Sequence, residues 1–104
     1  MELGLIGKIA VVTGASKGIG KAIAMGLAQE GVKLAMCARG EDELKATASE
    51  IESKTGVEVL WKVADVTNPE DIKEFFKLII ERFGKIDILV NSAGRAQPGT
   101  FDEL

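Results

Sequence analysis

The hydrophobic residues of this chain change their period several times, and each change marks a new element. Ile9 to Val12 are continuously apolar, the pattern of a strand covered on both faces of a sheet. From Gly18 the spacing becomes helical. Ile19, Ala22, Ile23, Gly26 and Leu27 fall at i, i+3, i+4, i+7 and i+8, which predicts one apolar helix face, with Gly31 ending the helix. Val32 to Ala38 (VKLAMCA) reads as a second strand. GEDELKATASEIESKTG reads as a second helix, with Glu41, Asp42 and Glu43 at its positive end and Leu44, Ala48 and Ile51 inward. Val57 to Asp65 is a third strand, apolar at Val57, Val59, Trp61 and Val63. The third helix is the best marked: Asn68 is its cap, Pro69 suits the first position and Asp71 stands where a capping-box acid would. Ile72, Phe75, Phe76, Ile79, Ile80 and Phe83 form its apolar stripe, closed by Gly84. Ile86 to Val90 is a fourth strand, and NSAGRAQPGTFDEL reads as loop.

Strand and helix therefore alternate, with no internal repeat, linker or low-complexity tract. Such alternation implies right-handed crossovers and an α/β fold: a Rossmann-type, doubly wound parallel sheet with helices on both faces. The expected strand order is 3-2-1-4, just over half of such a domain. A fourth strand left unpaired at Ile86 to Val90 would expose an apolar edge, which implies self-association.

Composition narrows the function. The chain has 104 residues, 46% hydrophobic and 28% charged, the make-up of one globular domain or part of one. A net charge of -3, with both signs interleaved, argues against a nucleic-acid partner. No apolar run approaches the ~20 residues that span a bilayer, so no membrane partner is expected. The start, MELGLIGK, lacks the basic region of a signal peptide. The single cysteine, Cys37, excludes an internal disulfide, fits a reducing cytoplasm and reads as a small buried strand residue, not a nucleophile. There is no His and no Tyr, so two common proton-transfer side chains are missing.

The candidate chemistry lies in TGASKGIG, Thr13 to Gly20, between the first strand and the first helix. In this architecture that turn receives a cofactor's pyrophosphate, because backbone N–H groups and the positive helix end face the anion. Gly14, Gly18 and Gly20 do not have the spacing G-x-G-x-x-G, and no G-K-[ST] of a P-loop follows. The glycines alone leave a packing turn and a phosphate cradle both open. Their place after a buried strand favours the cradle.

Together TGASKGIG, Ala38–Arg39, Asp65–Thr67 (DVT) and Asp87–Gly94 (DILVNSAG) resemble the short-chain dehydrogenase/reductases, over the whole chain and in the family's order. One departure is Ser92, where the family usually has a second Asn; Ser still offers a hydroxyl to nearby backbone. The resemblance implies that Thr13 to Gly20, with Gly14, Ser16, Lys17, Gly18 and Gly20 as its binding residues, cradle the pyrophosphate with Ile19 under the cofactor. It implies that Asp65 and Val66 border the adenine, and that Asn91, Ala93 and Gly94 line the cleft near the adenine-side ribose. On pattern alone Asp65 is a turn former and NSAG an ordinary turn.

The cofactor follows from charge. NAD enzymes place an acid near the end of the second strand, whereas this chain has Arg39 there and no acid before Glu41. A guanidinium binds a 2′-phosphate bidentately, and Lys17 lies on the other side of the same site. Either residue alone is a solvated surface charge; the pair marks NADP(H) in this family. The family's Ser, Tyr-x-x-x-Lys and Asn are expected in segments beyond Leu104, so no catalytic residue is assigned here. Two readings stand: the dinucleotide-binding part of a cytoplasmic oxidoreductase acting on a small carbonyl or alcohol, and a nucleotide-binding or interaction module without catalysis.

Overall fold

A computed structural model describes residues 4–92. The elements run β1 (Ile9–Thr13), α1 (Gly18–Gln29), β2 (Lys33–Ala38), α2 (Glu41–Thr55), β3 (Val59–Val63), α3 (Pro69–Phe83) and β4 (Ile88–Asn91). The four strands form one sheet in the order β3-β2-β1-β4, and every pairing is parallel. The expected fold and strand order are therefore the observed ones.

Both faces of the central strands β1 and β2 are covered, which explains the unbroken apolar run of β1. Successive strand side chains point to opposite faces. Ala10 and Val12 join Leu34 and Met36 in a core closed by Ala24 and Ala28 of α1 and Leu44, Ala48 and Ile51 of α2. Ile9 and Val11 join Ala35 and Cys37 in a second core, closed by Phe75 and Ile79 of α3. Just before β4 the register is pinned reciprocally: Ile9 N–H donates to Asp87 Oδ2 at 2.8 Å, and Asp87 N–H donates to Ile9 O at 2.9 Å.

The structure corrects the face expected for α1. Its buried residues are Gly20, Ala24 and Ala28, whereas Ala22 and Gly26 are exposed and Ile19 is 74% exposed. The face is rotated by about one residue from the expected one. Gly20, Ala24 and Ala28 lie against the loop and the sheet, with Leu27 packed beside them, because a close approach there admits only small side chains. The capping of α3 also differs in one respect. Asn68 Oδ1 accepts from Glu70 N–H (2.9 Å) and Asp71 N–H (3.3 Å), as expected of a cap. The Asp71 carboxylate does not close a capping box; it reaches past the cap to accept from Asp65 N–H at 2.9 Å. That bond ties the start of α3 to the end of β3.

The third strand, expected over Val57 to Asp65, is shorter at both ends. Asp65 belongs to the turn before α3 and Val57 to the turn out of α2, while Glu58 O still accepts from Leu34 N–H at 3.1 Å. Gly56 ends that helix at φ 79°, the left-handed conformation glycine favours. Thr55 Oγ1 then accepts from Val57 N–H at 3.3 Å, and Glu52 Oε2 from Val59 N–H at 3.2 Å. β4 begins at Ile88, two residues later than expected, although Asp87 N–H already donates to Ile9 O of β1.

Candidate functional site

The carboxyl ends of β1, β2 and β3 open onto one cleft of about 430 Å³. Gly14, Ser16 and Lys17 line it from the loop after β1, and Ala38, Arg39 and Gly40 from the end of β2. Ala64, Asp65, Val66 and Thr67 line it after β3, Ser92 after β4, and Glu43 from the first turn of α2. This is the crevice beside the topological switch point, where chain connections diverge to opposite sides of the sheet.

The loop between β1 and α1 is held by its neighbours on three sides. Gly14 N–H donates to Cys37 O of β2 at 2.8 Å, and Ala15 N–H to the same oxygen at 3.4 Å. From α2, the buried Thr47 hydroxyl donates to Ser16 O at 3.0 Å. From β4, Ser92 donates both N–H (3.2 Å) and Oγ (2.5 Å) to Thr13 O, and Thr13 Oγ1 donates to Asn91 Oδ1 at 2.8 Å. The serine that departs from the family pattern thus does give its hydroxyl to nearby backbone.

The three loop glycines have separate reasons. Gly14 and Gly18 adopt φ 67° and 63°, a conformation that L side chains rarely take. Gly20 is in ordinary helix, but a Cβ there would overlap both Gly14 O and Ser92 Oγ. Gly20 is small so that α1 can lie directly on the loop and on the end of β4. At the head of α1, Lys17 is extended and provides no side-chain acceptor for the first turn, and that turn holds no acid. The contrast with the capped start of α3 is direct. Orphan N–H groups at such a start suit an anion.

Asp65 does double duty at the end of β3. Its Oδ1 accepts from Thr67 Oγ1 at 2.7 Å and Thr67 N–H at 2.9 Å, closing a tight turn. The Thr67 hydroxyl, then the Thr67 N–H, and more weakly the Arg39 charge hold its carboxyl below the ordinary aspartate value, against a small opposing effect of desolvation. Asp65 is thus the turn former that its pattern suggested while also lining the cleft. Cys37 is fully buried, and burial pushes its thiol up to about 11, partly offset by a backbone hydrogen bond from Gly14. It has the environment of an inert strand residue.

Of the residues singled out from sequence, Gly14, Ser16, Lys17, Arg39, Asp65 and Val66 come together on the cleft wall. Gly18 and Gly20 shape the loop behind it, and Asn91 is turned to Thr13. Ile19 does not line the cleft and points largely to solvent. Ala93 and Gly94 lie outside the described residues. Sequence reasoning missed Thr47, Gly40, Glu43 and Thr67. Thr47 carried a usable signal, since it lies on the same helical stripe as Leu44, Ala48 and Ile51 as a lone polar residue facing inward. Among the described residues no cluster of His, Cys, Asp and Glu has metal-binding geometry, and no helix is long and apolar enough to cross a membrane.

Comparison with known proteins agrees with this geometry. The family model described as short chain dehydrogenase matches residues 8–104. The chain is 40% identical over 98 residues to 11-beta-hydroxysteroid dehydrogenase-like 2 of Arabidopsis thaliana, covering 94% of this chain and 32% of that protein. L-sorbose reductase from Gluconobacter frateurii, solved with NADPH and L-sorbose, superposes with a TM-score of 0.89 at 42% identity, covering 100% of this chain and 40% of that one. An NAD+-bound xylitol dehydrogenase superposes with a TM-score of 0.85 at 35% identity, covering 89% of this chain and 35% of that one. The chain thus spans less than half the length of each. With a parallel 3-2-1-4 sheet, a glycine loop at its switch point and a family match across nearly all its residues, the chain belongs to the short-chain dehydrogenase/reductases.

Proposed function

We propose that this chain is the NADP(H)-binding part of an oxidoreductase that reduces a carbonyl or oxidises an alcohol by hydride transfer. The observation that carries the reading is that Lys17 and Arg39 both line the cleft at the strand ends, from opposite elements. Two cations there suit a 2′-phosphate, and β2 ends without the carboxylate that would accept from a free ribose hydroxyl. Similar structures hold NADPH in one case and NAD+ in another, so the choice of cofactor rests on this chain's own side chains.

In this reading the residues present fit a dinucleotide. The uncapped start of α1 receives the pyrophosphate, with Gly14, Ser16, Gly18 and Gly20 leaving room for it, and Lys17 and Arg39 take the 2′-phosphate. Asp65 and Val66 border the adenine, its carboxylate fixed in direction by Thr67. Asn91, Ala93 and Gly94 belong to the ribose side. The bound cofactor supplies or accepts the hydride. The chain holds no Tyr and no His, so it binds and orients while further residues of a longer protein move the proton.

The test compares adenosine 2′,5′-bisphosphate with AMP by amide NMR titration. The bisphosphate is expected to bind more tightly, and Arg39→Ala to remove most of that difference. Hydrogen bonds to charged groups contribute roughly 1.5–3 kcal/mol, so the loss is about tenfold or more. Equal binding of both ligands by the unmutated chain would refute the reading.

A further inference from the structure

One charged side chain bears on the same end of the cleft and has no part in the reading above. Glu43 is the third residue of α2, counted from its N-cap at Gly40, and it lines the cleft together with Arg39. A glutamate at that position ordinarily reaches back to the N-cap N–H. The N-cap, Gly40, has no side chain of its own to cap the first turn. The Glu43 carboxylate folds back: Oε1 lies 3.5 Å from where a Cβ on Gly40 would stand. Arg39, Gly40 and Glu43 line the same cleft, so the negative charge of Glu43 stands at the end of it where Arg39 stands.

We propose that Glu43 is a specificity-determining residue for the cofactor. Its charge opposes a 2′-phosphate, and its oxygens accept from a free 2′-hydroxyl. The cleft therefore takes NAD(H) as well as NADP(H), with a narrower preference than Lys17 and Arg39 alone would impose. The proposal rests on the cofactor reading above and deepens it. Repulsion between a carboxylate and a nearby phosphate of one to two negative charges, in a water-like dielectric, weakens binding by about three- to tenfold.

Glu43→Gln tests this, because glutamine keeps the length and capping ability of glutamate without the charge. The readout is the ratio of dissociation constants for AMP and adenosine 2′,5′-bisphosphate, from NMR titration of the full chain. The variant is expected to raise that ratio about three- to tenfold, chiefly by tightening the bisphosphate. The increase should shrink in about 1 M salt, where screening acts within roughly 3 Å. An unchanged ratio in Glu43→Gln, with Arg39→Ala still collapsing it, would overturn the role of Glu43 and leave the cofactor reading intact. Equal binding of the two ligands by the unmutated chain would instead refute the cofactor reading itself. A lowered Tm with parallel loss of both ligands would make Glu43 a structural cap and overturn the proposal as well.

Discussion

Two glycines of the same helix should respond in opposite directions to the same substitution. Gly20 and Gly26 both lie inside α1, where alanine is intrinsically favoured by about 1 kcal/mol. At Gly26 an added Cβ meets nothing within 4 Å, so Gly26→Ala should keep most of that gain. At Gly20 the added Cβ overlaps Gly14 O and Ser92 Oγ. Neither neighbour can withdraw freely. The peptide that carries Gly14 O is held by its Ala15 N–H, which donates to Cys37 O at 3.4 Å, and Ser92 Oγ is engaged with Thr13 O. Overpacking of this kind costs about 1–3 kcal/mol, and rotating Ser92 away forfeits a hydrogen bond of about 0.5–1.5 kcal/mol. The balance for Gly20→Ala is a net loss of about 1–3 kcal/mol. For a domain near 100 residues that corresponds to a fall in Tm of roughly 5–15 °C, against a rise of roughly 2–6 °C for Gly26→Ala. Thermal melts followed by circular dichroism at 222 nm, with urea midpoints as a second measure, check both. A Gly20→Ala chain as stable as the unmutated one would refute the close contact between α1 and the loop.

Three further outcomes follow from the same geometry. Thr47→Val removes the hydroxyl that donates to Ser16 O, so stability should fall by about 0.5–1.5 kcal/mol, with faster amide exchange in the loop from Gly14 to Lys17 than in β1. Asp87 is held below the ordinary aspartate value, first by the Ile9 N–H bond and then by Lys85, so its contribution is present above an unfolded pKa near 3.9 and lost as pH falls through the lower folded value. Asp87→Asn should therefore flatten the dependence of stability on pH below about 4, measured by urea denaturation across that range. With no Tyr or His, the chain alone should not oxidise NADPH in the presence of aldehydes or ketones, and a rate above buffer that Gly18→Val abolishes would contradict this.

The fold was legible because its determinants are local and periodic. The apolar run of Ile9 to Val12 and the stripe from Ile72 to Phe83 each carry their signal within a few residues, and alternation then sets the topology. The buried face of α1 was not legible, because Gly20, Ala24 and Ala28 have little hydrophobic weight and their burial depends on how near the loop comes. Asp71 misled for a related reason. Its carboxylate has a choice between the cap and the end of β3, and only the folded chain brings Asp65 N–H within 2.9 Å. At the site, Lys17, Arg39 and Asp65 could be placed because they sit at ends of elements. Glu43 could not, because it reaches the cleft from the first turn of α2 and reads in the sequence as an ordinary helix-start acid. Thr47 showed only as a lone polar residue on an inward stripe, with nothing to name Ser16 O as its partner.

The cleft's shape and its charges have different origins, and this separates the effects of substitution. Its shape is set before any ligand arrives: Cys37 O, Thr47 Oγ1 and the Ser92–Thr13 pair hold the glycine loop from β2, α2 and β4. Preorganisation of this kind lowers the ordering cost of binding, so loosening the loop weakens every ligand that rests on it. Thr47→Val should accordingly reduce AMP and bisphosphate affinity together while also lowering stability. The charges of Lys17, Arg39 and Glu43 stand on the rim and none is part of a core, so changing them should move the ratio of the two ligands with little change in Tm. A substitution at Thr47 that altered the ratio, or one at Arg39 that cost stability in proportion to binding, would show that shape and charge are not separable here. The three bonds from β2, α2 and β4 end on main-chain oxygens or amides of the loop and of Thr13, whereas the three charges are side chains. On the proposed reading, that difference leaves the loop's shape to the main chain and the choice of ligand to a few exposed positions.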